Sequence, residues 1–386
     1  MADLLFSHAD NFDITVFLSA QPAPVTSFNT ILFVDTLANS TLTGFDNEVA
    51  FGSNGSKYVQ IATAAEMTAA NDASAGSISA AAIVDVTGAL THSKSPSSVY
   101  LLAVDIVGGD AYTTIFATLD DALSDYYAVI PVSHALQDIA DVSTGVIASM
   151  AAARKRIIVG QSDDANSYAV AATWDADPVG ALAETTKDRI YQCFHVDAQP
   201  CAAGVASWAL SWNPDQYSPP WTFPVPSIAK LSLPSGTTTT TFKTNLDDND
   251  INHPLPLAGT DVYIDPGKSQ SGRPFYVIIT ADWFEARLNA ALQTLKVLYA
   301  SMGQKLPMNT IGQQLVLNEI EALYERGVAA GHFLSRDEAA AQGVDVVIRA
   351  ETITDDDKSN QELRFTVIIP VLLDARILTL DVTIQQ

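Results

Sequence analysis

Cys193, His195 and Cys201 bring two thiols and an imidazole into one short stretch, the donor types that hold zinc. A C-x-H followed by a single further cysteine gives only three ligands and matches no standard zinc spacing. His195 is therefore read as a satisfied strand histidine, and the cysteines as part-buried free thiols. Asp248, Asp250 and Asn252 resemble the first half of a calcium loop. An EF-hand would need Gly where His253 stands and Glu where Gly259 stands, so the Asp247–Asn252 stretch reads as a solvated acidic turn. Gly108-Gly109, after a strand ending at Asp105, has the composition of an anion-binding turn at a helix start, and equally that of a plain strand-to-helix turn. GxGxxG, GxxxxGK[ST], HExxH and GxSxG are all missing. No catalytic residue, metal or cofactor is expected.

The 386 residues carry a formal net charge of −24, which opposes direct nucleic-acid binding, since phosphate contacts require Lys and Arg. Copies of such a chain repel at long range, so self-assembly would need short-range contacts to win. With 48% hydrophobic and 17% charged residues, the chain has material for two or three compact units. No apolar run approaches the roughly 20 residues of a membrane helix. The opening MADLLFSHADNFD lacks the basic and apolar regions of a signal peptide. Neither membrane insertion nor secretion is expected, and two cysteines fit a reducing compartment.

The elements that would position any site follow from periodicity. Ile14, Val16 and Leu18 alternate with polar residues as a strand, set apart by Gln21-Pro22-Ala23-Pro24. Asn29–Val34 is a more buried strand. AAEMTAANDA and SISAAAIVDVTGAL are helical stretches. Strands at Val99–Asp105, Tyr127–Val132, Arg156–Gly160 and Arg189–Val196 then alternate with helices over Tyr112–Ser124 and Ile139–Arg154, which implies βαβ crossovers and a largely parallel sheet. Asn213–Pro226 is irregular, and GTTTTTF (Gly236–Phe242) reads as an extended edge or a loop. Phe275–Thr280 reads as a strand. A helix then opens at Asp282 with Glu285 as capping-box partner and Phe284, Leu288, Ala291, Leu295 and Leu298 on one face. Thr310 and Gln313 mark a second capping box, Ile311, Leu315, Ile320, Leu323 and Tyr324 continue that helix, and Gly327 and Gly331 end it. Val344–Arg349 is a strand and Asp355–Asp357 a turn.

The end of the chain, RFTVIIPVLLDARILTLDVTIQQ, reads as two strands. Leu363, Phe365, Val367 and Ile369 share a face of the first. Leu378, Leu380, Val382 and Ile384 share a face of the last, and burying each is worth roughly 1.5–3 kcal/mol. Left on a free edge they would invite aggregation. The last strand either completes the chain's own sheet or is donated to a neighbour's, with Pro370–Arg376 as hinge. A strand at each end would link identical copies through heterologous contacts, which build rings or helical filaments.

Three stretches resemble contractile-tail sheath proteins of myophages and R-type pyocins: Lys57–Leu90, the alternation starting at VYLLAVD, and ITADWFEARLNAALQTLKVLYASMGQKLPMNTIGQQLVLNEIEALYERGVAAGHF with the closing strands. Asp197–Gly272 departs from that pattern. The resemblance implies an α/β (α+β) chain: an N-terminal arm (1–26), an outer α/β domain (27–265), a tube-side domain of two amphipathic helices and strands (266–369) and a C-terminal strand arm (370–386). It further implies a structural subunit, not an enzyme, that forms hexameric rings stacked helically around a tail tube and contracts to drive the tube through an envelope. Ile14, Val16, Leu18, Leu378, Leu380, Val382 and Ile384 would then be inter-subunit strand positions. Arg287, Lys296 and Lys305 would face an acidic tube. The implied partners are further copies, the tube protein, and baseplate and terminator proteins, in a virion tail assembled in a bacterial cytoplasm. The rival readings are an α/β enzyme with a ligand site near Asp105, Gly108 and Gly109 at the strand ends, and another self-assembling capsid or baseplate protein.

Overall fold

The computed structural model of the chain describes residues 11–17, 28–36, 47–51, 56–73, 78–92, 94–96, 98–104, 112–123, 125–150, 155–195, 200–219, 221, 239–256, 262–355, 357, 362–371 and 377–385. The chain divides into two compact units. One is Val25–Asn213 with Pro219–Ile278; the other is Met1–Pro24 with Pro214–Ser218 and Ile279–Gln386.

In chain order the strands are β1 (Asn11–Phe17), β2 (Ile31–Asp35), β3 (Val49–Ala50), β4 (Lys57–Ile61), β5 (Val99–Ala103), β6 (Ala128–Pro131), β7 (Ile157–Ser162), β8 (Ile190–Phe194), β9 (His253–Pro256), β10 (Val262–Asp265), β11 (Val347–Ala350), β12 (Glu362–Pro370) and β13 (Ile377–Gln385). The helices are α1 (Ala64–Ala73), α2 (Ala80–Thr91), α3 (Tyr112–Ala122), α4 (Leu136–Ser149), α5 (Ala171–Trp174), α6 (Glu184–Lys187), α7 (Cys201–Leu210), α8 (Thr239–Asp248), α9 (Phe275–Ser301), α10 (Thr310–Ala330) and α11 (Arg336–Ala341).

The first unit is built on a seven-stranded sheet of order β3-β4-β5-β2-β6-β7-β8. From β5 to β8 all neighbours are parallel, and β4 and β3 extend the sheet antiparallel. Every residue of β2, β6, β7 and β8 is buried. That is why they read as unbroken apolar runs, as strands covered on both faces do. The order is doubly wound, with β2 central and the chain reversing its direction of travel between β5 and β6. Arg156, just ahead of β7, is fully buried: its Nη1 donates to Asp120 Oδ2 at 3.0 Å and its Nη2 lies 2.8 Å from Oδ1. The Tyr126 hydroxyl donates to the same carboxylate at 2.8 Å, and its ring lies 3.9 Å from the guanidinium carbon.

Several sequence expectations are corrected. The threonine-rich stretch enters α8 from Thr239, because Phe242 and Leu246, one helical turn apart, pack with Phe194 and Ile251. Phe275–Thr280 is the first part of α9, not a strand. Phe275, Ile278, Ile279 and Asp282 are all buried, at helical spacing, and tertiary burial overrides the β-branched composition. Asp282 therefore lies inside the helix, and the capping box with Glu285 does not exist. On α10 the cap is Asn309, whose side chain accepts from the Ile311 and Gly312 amides, and Gln313 reaches instead to the Glu351 carbonyl at 2.7 Å. Gly331 ends that helix with φ +81°, a left-handed position suited to glycine, whereas Gly327 lies within it. Leu298, placed on one face with Phe284 and Leu288, is 53% exposed, and Ile311 at the start of α10 is 63% exposed.

Candidate inter-subunit interface

The residues with metal-binding chemistry are spent on structure. Cys193 and Cys201 are free and buried, and burial together with the Cys201 thiol beside it pushes the Cys193 thiol well above its usual value. His195 is buried just past β8, where its amide donates to the Ser162 carbonyl at 3.1 Å. The Asn252 side chain is saturated by backbone: its amide donates to the carbonyls of Gln192 (3.1 Å) and Lys268 (2.8 Å), and its oxygen accepts from the Lys268 amide at 2.9 Å. Asp250 has φ +53° and lies 3.5 Å from Lys268 Nζ; burial nevertheless raises its carboxyl above the usual range. Among the described residues no group of three His, Cys, Asp or Glu could hold a metal ion. Asp105, Gly108, Gly109 and Gly259 lie outside the described residues.

The second unit carries a four-stranded sheet of order β1-β13-β12-β11. In β12 the predicted face holds: Leu363, Phe365, Val367 and Ile369 are at most 2% exposed, while Arg364 between them is exposed. β13 runs antiparallel to β12 in unbroken register from Glu362↔Gln385 to Pro370↔Ile377. This register sets Ile384, Val382, Leu380 and Leu378 opposite Leu363, Phe365, Val367 and Ile369. β1 lies parallel on the other edge of β13, with Ile14 at the position of Val382 and Val16 at that of Ile384. The two ends of one chain thus share a sheet; Leu18 lies outside the described residues. Where β12 ends, the Leu334 amide donates to the Pro370 carbonyl at 3.0 Å and Val371 bridges to Phe333. Val371 is buried, so the first two residues of the expected hinge belong to the folded unit.

Phe333 packs against Phe284 and Tyr324, and its ring comes so close to Gly327 that a Cβ there would collide with it. Beside it, Trp283 stacks on His332 with ring centroids 4.4 Å apart. His332 Nε2–H donates to the Pro214 carbonyl at 2.7 Å, which leaves Nδ1 to accept from the Thr280 hydroxyl at 3.0 Å. Burial lowers the His332 imidazole's value, so the ring is neutral at pH 7. Asp215 accepts two hydrogen bonds from Arg287, both 2.8 Å, and one from Trp283 Nε1 at 3.0 Å. Burial alone would lift the Asp215 carboxyl, but these bonds and the Arg287 and Arg326 charges hold it below the usual carboxylate range. The five-residue island Pro214–Ser218 is thereby fastened into the second unit. Replacing Asp215 with alanine is expected to destabilise this unit by about 1–3 kcal/mol, read as a lower melting temperature of the full chain; an unchanged melt would mean that the clamp carries no load.

The expected tube-facing cations separate. Arg287 is turned to Asp215. Lys296 is half-buried and Lys305 exposed, at the end of α9 and in the turn after it. The same region exposes Val297 (67%), Leu298 (53%), Met302 (53%) and Ile311 (63%). Sequence reasoning missed the Asp215–Trp283–His332 cluster.

Against solved structures the chain matches a protein in the cryo-EM structure of the anti-feeding prophage baseplate, six-fold symmetrised, at a TM-score of 0.63 and 13% identity, covering 92% of this chain and 94% of that one. The contracted helical sheath of the same particle matches at 0.59 and 12%, with 92% of each chain covered. The sheath tail protein of Listeria innocua matches at 0.55 and 9%, covering 94% and 96%. The chain has the fold of contractile sheath proteins. No protein-family model matches its sequence, and no curated protein sequence does. A sheath fold accounts for the seven-stranded, mostly parallel sheet and the helices as one architecture along nearly the whole chain. Among the described residues, no helix is long and apolar enough to cross a membrane.

Proposed function

We propose that this chain is the structural subunit of a contractile sheath, polymerising as hexameric rings stacked helically around a tail tube. The observation that carries the reading is the match to sheath proteins over 92–95% of the chain. The sheet assembled from both chain ends supports it, because strands at the two termini are what a linked polymer of identical copies needs. Ile14, Val16, Leu18, Leu378, Leu380, Val382 and Ile384 would be exchanged between neighbours. Contraction would be a switch between packings of the same chain, driven by new contacts between outer domains and without nucleotide. Further copies, the tube protein and baseplate and terminator proteins are the partners, in a phage-type tail assembled in a bacterial cytoplasm.

Lys296 and Lys305, fringing the exposed Val297, Leu298, Met302 and Ile311, would meet the acidic tube. Arg287 lies on the same helix but is committed to Asp215, so reversing its charge would test the clamp as well as the tube. Negative-stain microscopy of concentrated protein is expected to show hollow tubes of stacked rings. Lys296→Glu with Lys305→Glu should abolish co-assembly with the tube protein, the melting temperature of the full chain being read alongside to separate this from a loss of folding. Compact particles that never polymerise at any concentration would defeat the sheath reading, and unimpaired co-assembly of the double variant would remove these lysines from the tube face.

A further inference from the structure

We propose that a lone chain is self-closed: its own β1 and β13 complete the four-stranded sheet, and both must leave before a neighbour's strands can take their places. The inference rests on the sheath reading and adds to it what holds single subunits apart before assembly.

Three observations carry it. First, β13 has no free edge. β12 occupies one side over nine residues without a bulge, and β1 the other over seven. The open edges among the described strands of this sheet are those of β1 and of the four-residue β11. A donated strand in the β13 position therefore cannot be added; it can only replace the strand already there.

Second, an open chain is a poor resting state. Without β13, the edge of β12 would be bare alongside a row of apolar residues, Leu363, Phe365, Val367 and Ile369, that are now at most 2% exposed. Such an edge is a template for unspecific pairing. Closure within the chain removes it until a neighbour is present.

Third, the exchange conserves every pair. The register Leu363↔Ile384 to Ile369↔Leu378 can be made within one chain or between two with the same partners, as in domain swapping. Residues 371–376 join the two strands, and six residues of extended chain reach roughly 20 Å. At this end the folded body reaches Val371, which is bridged to Phe333, so the C-terminal part of the exchange involves only the residues after Val371. With pairing equal on both sides, concentration or a template decides the outcome, and opening sets the rate.

The test uses two full-length double variants, Thr366→Cys with Asp381→Cys to tie β12 to β13, and Thr15→Cys with Thr383→Cys to tie β1 to β13, each pair being register partners. Oxidised when dilute, both are expected to run as monomers on a non-reducing gel with their introduced thiols consumed. When concentrated, the oxidised Thr366→Cys/Asp381→Cys protein, whose β13 is tied to the strand that stays, should form tubes at least tenfold more slowly than the same protein after reduction. Oxidation after assembly should instead give ladders of cross-linked chains. Monomers locked between β12 and β13 that build tubes as fast as reduced ones would overturn the inference and leave the sheath reading standing, as would failure of the dilute chain to lock internally. Reduced and unmodified chains that build no tubes would bring down the sheath reading, and this inference with it.

Discussion

Replacing Asp120 with alanine is expected to cost the sheet unit about 3–5 kcal/mol, the range for removing one partner of a buried ion pair. Arg156 is fully buried, and both of its terminal nitrogens face the Asp120 carboxylate at 2.8 and 3.0 Å. Without that carboxylate, a guanidinium that cannot shed its proton stays in the interior with its charge uncompensated. Tyr126 loses the acceptor of its hydroxyl in the same step. The cost is one of leaving a charge unpaired, not of the pair being worth that much. Asp120→Leu combined with Arg156→Met should therefore recover most of the loss, since well-packed apolar residues often replace a buried pair at little cost. Calorimetry of the full chain should show the transition of this unit moved sharply down in Asp120→Ala and largely restored in the double variant. A double variant as unstable as the single one would place the cost in packing.

How much of this was legible in the sequence depended on whether the deciding contact was local. The strands of the large sheet were readable because β2, β6, β7 and β8 are buried on both faces and so appear as unbroken apolar runs between amphipathic helices. Phe275–Thr280 has the same composition and is helical: it opens a 27-residue helix whose residues 277–284 are buried on every side. Four apolar residues in a row do not distinguish these cases. The alternation in β12 and β13 announced strands, yet periodicity says nothing of partners: that β13 meets both β12 and the distant β1 is a fact of topology. Asp215 stood in a proline-rich stretch with no periodicity, and its partner Arg287 is 72 residues away. In the sequence Arg156 is only the first residue of a strand, since nothing next to it reveals Asp120, 36 residues earlier.

Asp85 contributes a pH dependence of its own to the same unit. It lies on the buried face of α2 with Ala82, Val86 and Ala89, and burial pushes its carboxyl from 3.8 up to about 8. The folded chain therefore keeps this proton at pH 7, whereas the unfolded chain releases it above pH 4. Below pH 3.8 both states hold the proton and Asp85 costs nothing through ionisation. From there to about pH 8 the unfolded state gains about 1.4 kcal/mol for each pH unit, on the order of 4 kcal/mol by pH 7. Above pH 8 the folded state ionises as well and the penalty levels off. Asp85→Asn keeps the shape and removes the titration. The melting-temperature difference between Asp85→Asn and the parent chain should start from a fixed offset at pH 4, set by burying an amide, and shift steadily in favour of the variant up to pH 8. A difference that stays flat across this range would mean that the Asp85 carboxylate is already ionised and compensated in the fold.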